Sequence, residues 1–409
     1  MNNSTLLNCL VTLFSDTTSE YTDVLLQEDK PMLIFTPAGW TDMGIKSDAM
    51  AIRMFAIDLL HCKDEDALIE RLAKGGACNM ACTIERTHVR VDISLVSDQG
   101  MSHATMVGDP SMLVQRPIIE MVIRRHRAVQ PLENLHFPQH LTEQLAYRNG
   151  LILVTGPSGA GKTSSCNSML GWINTNTNSH IITIQDPIEG YQENINSVFS
   201  NKEVGRDVPS FEVAVYNALR QKPDVIFISE LRDAETCRQA LLAAQSALVI
   251  ATTHAPNMED GLTRLLNFFP KEELQYCRML KSSLRCVISQ ALLPVDQRNK
   301  WAMFYEYVQG NNAILQDSLS SGGDFSGLRN AMADRAVRDT QRATGALDPR
   351  LLGLVPMNGA LARAIESRSV VKEDAYRASP DERNLTDVLT RLTDAMASGN
   401  APIQKTASA

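Results

Sequence analysis

A chain of 409 residues, 44% hydrophobic and 21% charged, has the length and balance of a soluble globular protein with two or three domains. Its formal net charge of −8 argues against direct nucleic-acid binding, which calls for a basic footprint. No apolar run approaches the roughly 20 residues that cross a bilayer, and the opening MNNSTLLNCLVTLF lacks the basic region of a signal peptide, so no integral membrane segment is expected.

Residues 1–130 read as a small α+β domain. Pro31–Thr36 and Val89–Val96 have the apolar runs and alternation of strands, and Met50–His61 and Ala67–Ala73 the apolar spacing of helices. The eight cysteines are scattered as expected of reduced thiols. Cys78 and Cys82 form a lone C-x₃-C with no second pair or patterned histidine, which reads as two small buried hydrophobes rather than a zinc site. Residues 97–117, with Gly100, Gly108 and Pro110, read as a loop or loose hairpin. The basic cluster Ile123-Arg124-Arg125-His126-Arg127 follows, in isolation a solvated face.

From 131 to 309 the pattern becomes α/β. Strands are expected at 151–155, 180–184, 224–229 and 247–251, and helices at 162–173, 210–221 and 233–245. Such alternation implies βαβ units and a mostly parallel sheet, with ligands at the carboxyl ends of its strands. Between the first strand and its helix lies Gly156-Pro157-Ser158-Gly159-Ala160-Gly161-Lys162-Thr163-Ser164. It satisfies G-x-x-x-x-G-K-[ST], the phosphate-binding P-loop. Glycines let successive N–H groups turn inward toward phosphate oxygens, Lys162 adds charge there, and the Thr163 hydroxyl is a ligand for Mg²⁺. The motif alone names a nucleotide, not a task.

The other strand ends supply candidates for hydrolysis. After 180–184 come Gln185, Asp186 and Glu189; after 224–229 come Glu230, Arg232 and Asp233; after 247–251 comes His254. Phosphoryl transfer to water needs a metal, a carboxylate for that water and a group that senses the γ-phosphate. Residues 310–409 read as mainly helical, with a flexible polar linker at Ser318–Asp324, helical stretches near 327–343, 358–378 and 384–396, and a fraying tail from Ser398.

These segments together resemble the secretion ATPases of type IV pili and of type II and type IV secretion. IITIQDPIEGY resembles that family's aspartate box, ALRQKPDVIFISELRDAET its Walker B segment and SALVIATTHAPN its histidine box. SSLRCVISQALLPV and ALARAIESRSVVKEDAYRASPDE fit as well. The resemblance implies a PAS-like N-terminal domain and a RecA-like ATPase domain, in a homo-hexameric ring that hydrolyses ATP with Mg²⁺ in the cytoplasm, peripheral to the inner membrane. It implies catalytic roles for Glu230, Glu189 and His254, metal binding by Thr163 and Glu189, and phosphate contacts from Arg90 and Arg124.

The departures carry information too. Gln185 stands where the family has Glu, Ala247 where it has its first histidine-box His, and Ala313-Ile314-Leu315 where retraction motors have Ala-Ile-Arg. Residues 97–117 and 316–350 look like insertions. The expectation is therefore the DotB/TraJ-type branch, which powers type IVB secretion and plasmid conjugation through inner-membrane complex subunits. A pilus-retraction motor and a nucleotide-gated scaffold with weak hydrolysis are the alternatives.

Overall fold

The computed structural model describes residues 3–15, 21, 23–36, 39–84, 87–96, 117–125, 129–295, 300–339 and 353–397. The loop expected at 97–117 (apart from residue 117), positions 126 and 127 of the basic cluster, positions 340–350 of the second insertion and the tail from 398 lie outside them. The chain divides into two units, Met1–Ala128 with Pro187–Tyr191, and Val129–Asp186 with Gln192–Ala409.

The first unit runs α1 (Asn3–Ser15), β1 (Asp23–Gln27), β2 (Pro31–Thr36), β3 (Gly39–Lys46), α2 (Ala49–Leu60), α3 (Glu65–Gly75), β4 (Cys78–Ile84), β5 (Thr87–Val96) and β6 (Ile118–Arg125). Its sheet is antiparallel in the order β3-β2-β1-β6-β5-β4. Asp48 and Asp64 start α2 and α3 by accepting the N–H groups of Ala51 and Ala67 at 3.0 and 2.8 Å. Strand alternation sorts the side chains. Val89, Val91 and Ile93 on β5 and Ile119, Met121 and Ile123 on β6 enter a core with Leu10, Ile52 and Leu68 from the helices. Arg90 and Arg124 take the opposite face, directly across from each other in the β5–β6 register. Cys78 and Cys82 pack as half-buried hydrophobes against this core.

The second unit begins with α4 (His140–Leu145), β7 (Gly150–Gly156), α5 (Lys162–Asn176), β8 (His180–Gln185), β9 (Val198–Glu203), α6 (Phe211–Leu219), β10 (Val225–Ile228), α7 (Ala234–Ala243) and β11 (Leu248–His254). Then come α8 (Met258–Asn267), α9 (Glu273–Ser283), β12 (Leu284–Val295), β13 (Lys300–Gln309), α10 (Ala313–Ser320), α11 (Ser326–Arg338), β14 (Leu354–Val355), α12 (Met357–Glu366), α13 (Lys372–Ala378) and α14 (Glu382–Ala397). The sheet order is β14-β13-β12-β7-β11-β10-β8-β9, parallel from β12 to β9, with β13 and β14 added antiparallel. Its central strands are apolar throughout because helices cover both faces, giving two separate cores. The fold is the expected α/β class, a parallel ATPase-type sheet with an α+β unit before it and helices after it.

The polar linker expected at Ser318–Asp324 is instead structured. Asn312 caps α10 by accepting from the N–H groups of Ile314 and Leu315, and Leu315 and Leu319, four residues apart, are buried in the core. The serine hydroxyls turn back onto the helix, Ser320 to the Gln316 carbonyl at 2.6 Å and Ser321 to Asp317 at 3.0 Å. Composition alone misses this, because two leucines in register outweigh a polar average. The stretch at 358–378 divides into α12 and α13 around Arg368, whose φ of 56° no helix continues through.

One buried carboxyl ties this unit's stability to pH. Glu306 on β13 accepts the Met258 N–H at the start of α8 at 3.0 Å, and burial, with Glu259 adding to it, pushes its pKa from 4.5 up to about 7. The folded chain keeps this proton to about pH 7, whereas the unfolded chain releases it near 4.5. Its contribution is therefore full below pH 4.5 and lost as pH rises through 7, on the order of 3 kcal/mol in all. Glu306→Gln keeps the acceptor and removes the titration. The expected result is a wild-type Tm that falls about 5 °C more than the variant's between pH 5 and pH 8; parallel curves by circular dichroism would reject the coupling.

Candidate functional site

Strand order builds the site. β7, β11, β10 and β8 are consecutive neighbours, so their carboxyl ends set the P-loop, His254, Glu230 and Asp186 in one row. His254 is the register partner of Gly156, the first P-loop glycine. Beyond β10, the Leu231 N–H donates to the Thr252 carbonyl at 2.8 Å, which holds Glu230 close to β11.

The loop itself is shaped by close approaches. A Cβ on Gly156 would lie 2.5 Å from the Gln290 carbonyl oxygen of β12. Gly161, at φ 81°, is the N-cap of α5 and has no side chain to claim the first-turn N–H groups. Gln290, only 1% exposed, donates from Nε2 to the Ala160 carbonyl at 2.6 Å and braces the loop from below. Lys162 is 7% exposed; its Nζ donates to the Gly156 and Pro157 carbonyls at 2.9 Å each and stands 3.1 Å from His254 Nδ1. Thr163 is half-buried and Ser164 exposed on the first turn of α5, while Pro157, Ser158 and Gly159 form the exposed outer bend above buried Ala160. The first-turn amides of a helix beside a buried ammonium are the donor set a phosphate requires, so these residues fit a nucleotide.

From Lys162 a chain of polar contacts crosses the row. His254 Nε2 lies 3.7 Å from Glu230 Oε1, the other Glu230 oxygen accepts from Arg232 Nε at 2.7 Å, and Arg232 Nη1 donates to Asp186 at 2.9 Å. Desolvation, followed by the positive charge of Lys162, lowers the His254 pKa against an opposing pull from Glu230. The ring is therefore neutral at neutral pH. Its Nδ1 accepts from the ammonium, and the remaining proton sits on Nε2, facing Glu230. At its backbone, His254 is fixed through its carbonyl, which accepts from Arg264 on α8 at 2.9 Å.

Two features of this row were not assigned a role from sequence. The sequence places Arg232 only as a neighbour of Glu230, yet it bridges Glu230 and Asp186; its position two residues past a carboxylate is the available signal. Gln290 lay inside the matched SSLRCVISQALLPV segment, but only the pairing of β12 beside β7 shows what it supports.

Gln185 is fully buried at the end of β8 and donates to Thr183 Oγ1 at 3.3 Å, while Thr183 donates to Asn201 at 2.7 Å. At this depth a carboxylate would be an added buried charge where the amide is not. Glu189 belongs to the first unit, where its carboxylate is 4.0 Å from Arg90. Arg124, across from Arg90, donates to Asp23 at 2.7 Å. Among the described residues no three His, Cys, Asp or Glu side chains converge as a metal cluster, and no helix is long and apolar enough to cross a membrane.

Comparison with known proteins gives the family. The family described as Type II/IV secretion system protein matches residues 121–348, more than half of the chain. The Type IV pilus ATPase PilU of Pseudomonas aeruginosa is 39% identical over 216 residues, 52% of this chain and 56% of PilU. The crystal structure of the pilus retraction motor PilT with bound ADP superimposes with a TM-score of 0.72 at 25% identity, over 92% of this chain and 98% of that one. The ATPase DotB of Legionella pneumophila shares the fold, with a TM-score of 0.68 at 20% identity over 92% and 95%. The matched region spans less than two thirds of the length of the curated relatives. With its P-loop, strand-end carboxylates and histidine in this order, the chain belongs to the type II/IV secretion system protein family.

Proposed function

We propose that this chain is an ATP hydrolase that works as one subunit of a homo-hexameric motor, driving a type IVB secretion or conjugative transfer machine. The observation that carries the reading is the continuous row from Lys162 through His254 and Glu230 to Arg232 and Asp186. Bound ATP with Mg²⁺ supplies the scissile phosphoanhydride and neutralises its charge. Lys162 and the first amides of α5 would hold phosphate oxygens, and the Thr163 hydroxyl would hold the metal. Glu230 Oε1 orients the attacking water and receives its proton, while Arg232 keeps the other oxygen fixed. His254 Nε2–H reports on the phosphate from the next strand. Glu189, Arg90 and Arg124 keep the parts the family resemblance implies, metal support and phosphate charge. The motor would lie in the cytoplasm against inner-membrane subunits of its machine.

The reading is tested by steady-state ATP turnover of the full chain against Lys162→Ala. Wild-type turnover at least tenfold above this control, with six-membered rings in negative stain with ATP, is the expected result. A wild-type rate equal to the control's would leave a nucleotide-gated scaffold and reject the motor. Pilus retraction is the second reading, favoured by the PilU and PilT likenesses and opposed by Leu315 in the Ala-Ile-Arg position. Loss of twitching motility in a deletion strain, with transfer intact, would establish retraction instead.

A further inference from the structure

A second cleft opens at the amino end of β7, the end of that strand away from the P-loop. It is open to solvent, with a cavity volume of about 340 Å³, and lies between the end of α4, the α9–β12 junction and the end of β13. That size is in the range of small-molecule sites. No lining residue is acidic, although the chain as a whole carries a net charge of −8; Lys281 and Arg285 supply two cations.

The cleft is built rather than incidental. Gly150 has a φ of 116°, and a Cβ there would lie 2.4 Å from Arg285 Nε, so only glycine lets this arginine lie across the strand. Arg285 donates from Nε and Nη2 to the carbonyl and side chain of Asn149 at 2.8 and 2.6 Å. That leaves Nη1 with no protein partner among the described residues, and the guanidinium stacks 4.1 Å from the centre of the half-exposed Tyr147 ring. Gln144 lines the cleft at 4% exposure, and its amide has no hydrogen-bond partner among the described residues. Its polar atoms are therefore available to a ligand's polar edge. Lys281 Nζ donates to Ser320 Oγ at 2.6 Å and Gln316 Nε2 to the Lys281 carbonyl at 3.2 Å, so the lysine is anchored at the rim.

We propose that this cleft binds a small organic phosphate with a planar polar head, of the mononucleotide class, independently of the P-loop. Lys281 and Arg285 Nη1 meet the phosphate, the head stacks on the Tyr147–Arg285 pair, and the amides of Gln144 and Gln309 read its polar edge.

The test is equilibrium dialysis of the full-length protein, its P-loop saturated with ADP and Mg²⁺, against labelled AMP or GMP. One further equivalent of at least one of the two is expected below 1 mM. Lys281→Glu and Tyr147→Ala should each weaken it at least tenfold and fivefold respectively while ADP binding stays unchanged, which also shows that the variants fold. Inorganic phosphate should compete at least tenfold less well than the nucleotide. Absence of a further equivalent with both nucleotides would overturn the proposal, as would one that both variants retain at full affinity. Equal competition by inorganic phosphate would remove the planar head from it.

Discussion

Glu230→Gln is expected to lower kcat for ATP by about 10²–10³-fold while leaving ATP affinity within about threefold. The substitution is isosteric, and its amide oxygen can still accept from Arg232 Nε, now at 2.7 Å from the carboxylate. Phosphate binding is assigned to Lys162 and the α5 amides, none of which Glu230 touches directly. What disappears is the basic oxygen facing His254 Nε2 at 3.7 Å, the position from which a water would be oriented. A wholly structural Glu230 would show the reverse, altered Tm and affinity with kcat preserved. Single-turnover hydrolysis and a filter-binding titration on the same preparation separate the two; near wild-type turnover would sink the assignment.

The second large effect is expected at Gly156. A methyl there would press against the Gln290 carbonyl oxygen at 2.5 Å and the Ala160 methyl at 3.1 Å, in a strand with no room to move. Overpacking of this kind costs about 1–3 kcal/mol. Relieving it pushes β7 and β12 apart beneath the loop, which disturbs the Gln290–Ala160 brace. Gly156→Ala is therefore expected to lower Tm by several degrees and weaken ADP binding more than tenfold. Gly159→Ala is the control: its Cβ would meet nothing within 4 Å, so it bears only the strain of φ 78°. If the two variants have equal Tm and equal ADP affinity, the brace plays no part.

Much of this site is legible in the sequence because parallel β/α folding writes locally. Each strand, its turn and its functional residue are contiguous, so Lys162, Glu230 and His254 could each be read from a short window. Their assembly follows from one rule, that ligands gather at the carboxyl ends. Long-range pairing is less legible. The β12–β13 hairpin was not expected as strands, since KWAMFYEYVQ mixes aromatic and polar residues without clean alternation. With it went the role of Gln290, which depends on β12 lying beside β7. Arg232 is legible as a residue and not as a clamp, because Asp186 lies 46 positions earlier. Gln185 is the instructive case. Its departure from the family pattern suggests a missing charge, whereas the structure has its amide donating to Thr183, which in turn donates to Asn201.

His254 is fastened twice, its ring between Lys162 and Glu230 and its carbonyl to Arg264 of α8. Thr155, one residue before Gly156, donates to the carbonyls of Ala255 and Asn257 and so pins the turn that leads into the same helix. At the start of α8 Glu259 pairs with Arg329 of α11 at 2.6 Å. A displacement of the imidazole by less than an ångström therefore has little slack to dissipate into before it reaches two helices. On the reading proposed above, the histidine is a hinge pin that would turn the chemistry of one phosphate into the tilt of a helix.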